Sequence, residues 1–369
     1  MSKFLYHFEQ KKGWMNDPNG CVFFKGRWHM FFQYRENGKE TQTWWGHAVS
    51  EDLLHWKELD VALKCENEKE DVGCWSGSAI VKEERLYLFY TSVSTKYGQT
   101  ISIAYTDDGV VFHRYANNPI ISVSPLGHNE HFRDPKVFQY NDKYYMLVAT
   151  ELGDSGKILC YTSNDLFDWE YSHEFYSSNK YYRQKSMATL ECPDFFPVED
   201  KWVLKFSSQK HRTDIFSVGV FNGKNFIPEI EDCFVDAGNE LFAIQTFANI
   251  QERVVAIGWM WNWEKPTTTG YETRTGTMTI PREITVKKGK VYNYPVKEAR
   301  HLLVTESKYV QVNDTILTVF GEHGQIVLNK DLKDYNGLKQ IEQVEILHDG
   351  DALEIFVNEG EVSITQWLK

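Results

Sequence analysis

Residues 26–34 read GRWHMFFQY: a turn glycine, a basic residue, then a run of aromatic and aliphatic side chains. A β-strand following a tight turn is the simplest reading. The same arrangement returns as ERLYLFYTS (84–92), DKYYMLVAT (142–150), DKWVLKFSS (200–208) and ERVVAIGWM (252–260). Its basic members, Arg27, Arg85, Lys143, Lys201 and Arg253, are spaced 58, 58, 58 and 52 residues apart. A second column, Trp56, Phe112, Trp169 and Phe226, closes four of the units. The runs ahead of these aromatics (WGHAVS, TISIAYT, KILCYTS, DIFSVGV) alternate as half-buried strands do. No sustained 3.6-residue period interrupts positions 1 to 290.

Repeats of about 40–60 residues, each worth about four short strands, are the mark of a β-propeller. Five copies give five blades. Each sheet buries its faces only against its neighbours, so the repeats come as a closed set. The fold class is therefore all-β, with a five-bladed β-propeller over residues 1–292. The segment NYPVKEAR (293–300) reads as a linker with a short helix. Residues 301–369 alternate again as strands: YVQVN, ILTVF, QIVLN, VEILH, LEIFV and VSITQW.

Composition narrows the partners. The chain has 369 residues, 42% hydrophobic and 25% charged, as a globular protein does. Its 12 Trp, 20 Tyr and 23 Phe suit β architecture and the apolar faces of sugar rings. A formal charge of −12 argues against nucleic acid or an anionic membrane as partner. The start, MSKFLYHFEQ, lacks a signal-peptide pattern, and no apolar run approaches the ~18 residues needed to span a bilayer. Cys21, Cys65, Cys74, Cys160, Cys192 and Cys233 show no C-x-x-C pairing, so neither a zinc site nor a disulfide framework is expected. Reduced thiols in a cytoplasmic protein are the expectation.

The segment ahead of each repeated hairpin should line the central channel. These segments are NDPNGCVFF, WSGSAIV, FRDPKVFQY, ECPDFFPV and AIQTFANI. Asp17, Ser76, Asp134, Glu191 and Gln245 precede the basic column by 10, 9, 9, 10 and 8 residues. Equivalent places on five inner strands form one ring at one mouth of the channel. Three of the five are carboxylates, and their mutual repulsion disfavours a purely structural origin. Such a cluster belongs either to a metal site, with calcium the reading to test, or to divided nucleophilic and acid–base work.

The motifs WMNDPNG, FFQY, WGHAVS, CWSGSA, FRDPKVF, ECPDFF, GWM and MTIPRE resemble, in order, those of glycoside hydrolase family 32. This is the family of invertases, sucrose-6-phosphate hydrolases, levanases and inulinases. The resemblance runs from about residue 7 to 300, and HDGDALEIFVNEGEV (348–362) looks like the family's C-terminal hairpin. It implies a propeller followed by a β-sandwich, here abbreviated to 301–369. It also implies a retaining β-fructofuranosidase acting on sucrose, sucrose 6-phosphate or short fructo-oligosaccharides, with no cofactor and no metal.

By the same resemblance Asp17 is the nucleophile and Glu191 the general acid and then base. Asp134 stabilises the oxocarbenium-like transition state. Retention implies Asp17 and Glu191 carboxyls ~5–5.5 Å apart. Asn16 and nearby backbone N–H groups are expected to hold the Asp17 pKa down. Gln33 and Ser76 match substrate-contact positions; Trp75 and Trp259 match aromatic positions near the pocket, with a core role the alternative, and Arg133 is expected to orient Asp134 or bind a sugar hydroxyl. Where the family carries a first Trp-Gly unit this chain has Glu40, so Trp44 is expected to supply the missing wall. Glu240 and Phe242 also depart from the family's Asp-Phe-Tyr-Ala run. A phosphorylated substrate would want cations at the rim, with Lys39, Lys96 and His128 as neighbours in sequence. Fructosyl transfer and non-catalytic fructan binding are the competing functions. Unpaired strand edges in 301–369 are expected to offer a surface for a homo-oligomer.

Overall fold

The computed structural model describes residues 4–36, 42–181, 188–238, 240–261, 276–333 and 335–368. Among these the strands form seven sheets, five of which are blades. Their inner strands are Trp14–Phe24, Gly73–Lys82, Arg133–Tyr140, Leu190–Val198 and Leu241–Thr246. The repeated sequence supplies the second strand of each blade: Arg27–Arg35, Arg85–Ser94, Lys143–Leu152, Lys201–Ser208 and Val254–Met260. Each inner strand packs beside the next, and the fifth returns to the first. The ring closes where the Phe23 N–H donates to the Ala248 carbonyl at 3.0 Å and the Ala248 N–H donates to that of Cys21 at 2.8 Å.

One apolar core fills each gap between neighbouring blades. Phe31, Trp45 and Leu88 join blades one and two, and Phe89, Phe132 and Met146 join two and three. Leu147, Phe195 and Phe206 join three and four, and Phe216, Ile244 and Ile284 join four and five. Met15, Phe32 and Ile257 join five to one. Each such side chain contributes about 1.5–3 kcal/mol when fully buried, and its burial is completed only by the facing blade.

The aromatic column has a local cause. After the third strand of the first three blades, Asp52, Asp108 and Asp165 each accept the backbone N–H groups two and three residues on. Asn222 does the same in blade four. The next residue, Leu53, Gly109, Leu166 or Gly223, takes a positive φ. This Asx-type turn delivers Trp56, Phe112, Trp169 and Phe226 to one place in each blade.

The segment 293–300 is not a free linker. The outer strand of blade five, Lys290–Pro295, runs into it, and the helical piece is a single 3-10 turn at Arg300–Leu302. A free linker in its place would expose the apolar side of that strand, so pairing wins over the Pro and Lys/Glu signals. Beyond it lie two three-stranded sheets, Val310–Asn313, Ile316–Phe320 and Ile326–Asp331, then Val344–Asp349, Ala352–Val357 and Val362–Trp367. They share a core containing Leu317, Leu328, Ile346, Ile355 and Ile364.

Buried charge ties this sandwich to the propeller. Arg282, on blade five and fully buried, donates to Glu354 Oε2 from Nε at 3.0 Å and Nη2 at 2.6 Å. Its Nη1 lies 3.3 Å from Asp236 Oδ2. His7 joins from the N-terminal segment, with Nε2 2.8 Å from Glu354 Oε1 and Nδ1 3.0 Å from Asp349 Oδ2. Burial alone would lower the His7 pKa, but hydrogen bonds to Asp349 and Glu354 carry it up to about 9. For Glu354, burial is outweighed by Arg282 and His7, which bring its pKa down to about 2.

Removing one partner leaves the others buried and uncompensated. Arg282→Met should therefore lose about 3–5 kcal/mol of unfolding free energy, read from the urea midpoint. The His7 contribution is complete below its ordinary value of 6.5 and is lost as pH rises through about 9. Wild-type stability should accordingly fall across that window, and an unchanged urea midpoint between pH 6.5 and 9.5 would contradict the pairing.

Candidate active site

All five inner strands carry an extra residue at the same end. Pairing with the second strand slips between Met15 and Pro18, Trp75 and Gly77, Arg133 and Lys136, Glu191 and Asp194, and Phe242 and Gln245. A bulge re-aims side chains and needs no ladder hydrogen bond from its extra residue. That is why Pro18, Pro135 and Pro193 are tolerated inside these strands. Asp134 (φ 60°) and Cys192 (φ 47°) sit in the left-handed region there, an uncommon place for residues with a side chain.

The bulges gather Asp17, Asp134 and Glu191 around one cavity of about 390 Å³. Two groups link the three carboxylates. Arg133 Nη2 donates to Glu191 Oε1 at 2.9 Å, and its Nε lies 3.8 Å from Asp134 Oδ2. The Cys192 backbone N–H donates to Asp134 Oδ2 at 2.9 Å, and its thiol reaches Asp17 Oδ2 at 3.5 Å. Ser76 Oγ also donates to Asp17 Oδ2, at 3.3 Å. Gln209 Nε2 holds Glu191 Oε2 at 2.9 Å.

Electrostatics correct one expectation. Asp17 is not held down: burial first, then Glu191 and Asp134, push its pKa up to about 6 against the opposing bonds from Asn16 and Cys192. Burial likewise raises that of Asp134, with Arg133 opposing. The donors present are too few to offset three acids in one partly dry hollow.

Asn16, Gln33, Trp75, Ser76 and Arg133 line the cavity as expected from sequence. Trp44 and Trp259 are not among its described lining residues. Trp44 packs towards the core between blades five and one, with Lys64 Nζ 5.1 Å above its ring. Trp259 stacks on Trp261 at 5.0 Å and is buried there. Alternation along each strand sends both rings away from the channel. The expected fifth ring member, Gln245, lies deeper, beyond its bulge, where its Nε2 donates to the Gly77 carbonyl at 3.0 Å.

Of the rim cations considered, Lys39 lies outside the described residues, as does Glu40. Lys96 stands 3.7 Å from Glu68, and neither it nor His128 lines the cavity. Phe242 is buried in the core between blades, and the Glu240 carboxylate accepts the Trp367 backbone N–H. Both departures therefore face away from the cavity, Glu240 towards the sandwich.

Sequence reading missed Arg35, Thr43, Gln99, His131 and Gln209 in the lining. Arg35 was within reach of it: two residues beyond Gln33 on one strand, it shares that face. Gln209 lies just past its strand, and no local signal marks it.

The model of the glycosyl hydrolases family 32 N-terminal domain matches residues 7–295. Sucrose-6-phosphate hydrolase of Escherichia coli is 32% identical over 318 residues, 80% of this chain and 65% of that protein. Raffinose invertase of Escherichia coli is 29% identical, covering 98% of this chain and 88% of the relative. The chain spans somewhat under two thirds of two sucrose-6-phosphate hydrolases it matches, 65% of the Escherichia coli protein and 63% of one from Zymomonas mobilis. Among solved structures, a Bombyx mori GH32 beta-fructofuranosidase superposes with a TM-score of 0.81 at 26% identity, covering 99% of this chain and 88% of that one.

A carboxylate whose pKa is raised by its surroundings works against folding at neutral pH. Replacing it by a neutral isostere, Asp17→Asn, should leave the fold intact and raise unfolding stability at pH 7 by about 1–3 kcal/mol. A lower urea midpoint for the variant would mean that the charge is better compensated than these distances indicate.

Proposed function

The chain belongs to glycosyl hydrolase family 32, and on that footing we propose that it hydrolyses terminal β-D-fructofuranosides with retention of configuration. One observation carries the reading: Asp17 and Glu191, far apart in sequence, face one cavity with separate sets of donors. Two carboxyls with different surroundings divide the work of nucleophile and acid.

Asp17 attacks the anomeric carbon of the fructosyl unit while Glu191 gives its proton to the departing oxygen. A covalent fructosyl-enzyme forms. Glu191, now a carboxylate, takes a proton from water, whose oxygen attacks the anomeric carbon and releases Asp17. Ser76 and Cys192, both on Asp17 Oδ2, fix the plane of the attacking carboxylate. Asp134 is held by Arg133 and Cys192 where hydroxyl groups of the fructosyl ring can bond to it. Sucrose, sucrose 6-phosphate and short fructo-oligosaccharides are the substrates to compare. Residues 1–292 carry the chemistry in this reading. The edge strand Val310–Asn313, largely exposed, is the place for a second copy to pair.

Purified protein should release fructose from at least one of sucrose, sucrose 6-phosphate, kestose and inulin. Asp17→Asn should lose roughly four orders of magnitude or more in kcat. Because Asp17 must be ionised to attack, kcat/KM in the unliganded protein should fall as pH drops below about 6. Equal turnover by the variant, or first-formed fructose with inverted configuration, would remove the assignment.

A further inference from the structure

Behind the cavity wall two of the six cysteines converge. Cys65 lies in the segment leading to blade two, and Cys74 is the second residue of that blade's inner strand. Both reach the carbonyl of Thr43: the Cys74 backbone N–H donates to it at 2.8 Å and the Cys65 thiol lies 3.9 Å from it. Their side chains lie close enough for each to act on the other's ionisation. The other four cysteines are buried, whereas Cys65 is partly exposed.

The surroundings make the two sulfurs unequal. Cys74 Sγ lies 3.6 Å from Glu70 Oε2 and 3.7 Å from Arg114 Nη2. The neighbouring Cys74 thiol, aided by the Arg114 charge, holds the Cys65 pKa below the usual thiol value. Burial pushes that of Cys74 well above it. A more acidic, reachable thiol next to a buried one is the arrangement of an attacking and a resolving cysteine.

We propose that Cys65 and Cys74 are a modification site for low-molecular-weight disulfides, closing to a reversible intramolecular disulfide that distorts the wall of the sugar cavity. The Cys65 thiolate attacks one sulfur of glutathione disulfide, forming a mixed disulfide and releasing glutathione thiolate, which takes up a proton. Cys74 then loses its proton and attacks Cys65 Sγ, releasing the second glutathione. Two protein thiols are oxidised and one small disulfide is reduced to two thiols.

The bond would act on the cavity through short connections. Trp75 and Ser76, both in the lining, come directly after Cys74. The Cys74 carbonyl accepts from Gln33 Nε2 at 3.2 Å. Thr43, whose carbonyl both cysteines approach, accepts from Arg35 Nε at 3.1 Å. Drawing Cys74 towards Cys65 shifts one side of the site, and misplacements of about 1 Å can cost on the order of a hundredfold in rate.

The test exposes the reduced full chain to glutathione disulfide and reads intact mass and peptide maps, with fructoside turnover in parallel. The expected product has lost two hydrogens, carries no glutathione, links Cys65 to Cys74, and shows kcat/KM lowered roughly tenfold or more. Dithiothreitol should restore both. Cys65→Ser should keep its turnover before and after treatment and form no link. A glutathione adduct persisting on Cys65, a link between other cysteines, or a Cys65–Cys74 link with unchanged kcat/KM would overturn the proposal. The effect on turnover rests on the fructoside reading, whereas the bond does not. If the reduced chain hydrolyses nothing, fructose binding followed by intrinsic tryptophan fluorescence replaces turnover, with the same outcomes.

Discussion

Closing five sheets into a ring brings the starts of five inner strands to one axis, and the carboxylates they carry come with them. Repulsion among Asp17, Asp134 and Glu191 is thus imposed by topology, and Arg133 is the charge that makes it tolerable, touching two of the three. Asp17, which Arg133 does not reach by any described contact, is the one pushed up to about 6. Burial raises Asp134 as well, but there the guanidinium opposes the rise.

The bulges are the device that converts a structural ring into a site. A regular inner strand would alternate its side chains between the two blade faces, where the five apolar cores lie. One extra residue per strand turns the chain at the channel mouth, and the left-handed backbone at Asp134 and Cys192 is part of that turn. Strain of this kind persists only where the surroundings over-determine it. Here the Asp134 N–H is held by Thr91 Oγ1 at 2.9 Å and the Cys192 N–H by Asp134 itself.

A second buried charge network, away from the cavity, has a different character. Arg282, Glu354, Asp236, His7 and Asp349 join three separate parts of the chain and are almost fully paired. Pairs of this sort contribute little net stability compared with apolar packing, but they tolerate no partial loss. The N-terminal segment, blade five and the sandwich are therefore held in one register by mutual dependence. Near the cavity the charges are left partly unmatched, as chemistry requires; at the sandwich they are matched.

Blade count, strand order and the three clustered acids were legible in the amino-acid sequence. These rest on local signals repeated at fixed spacing: alternation, turn residues and a basic column. The C-terminal strands were legible for the same reason, as six short alternating runs. Where side chains point, and which layer they reach once the register slips, was set by packing. Trp44 and Trp259, on second and third strands, belong to cores, and Gln245 lies in a deeper layer because the bulge ahead of it shifts its register. The sign of the Asp17 shift, the Gln209 contact with Glu191 and the meeting of Cys65 with Cys74 depend on through-space distances that no spacing along the chain encodes.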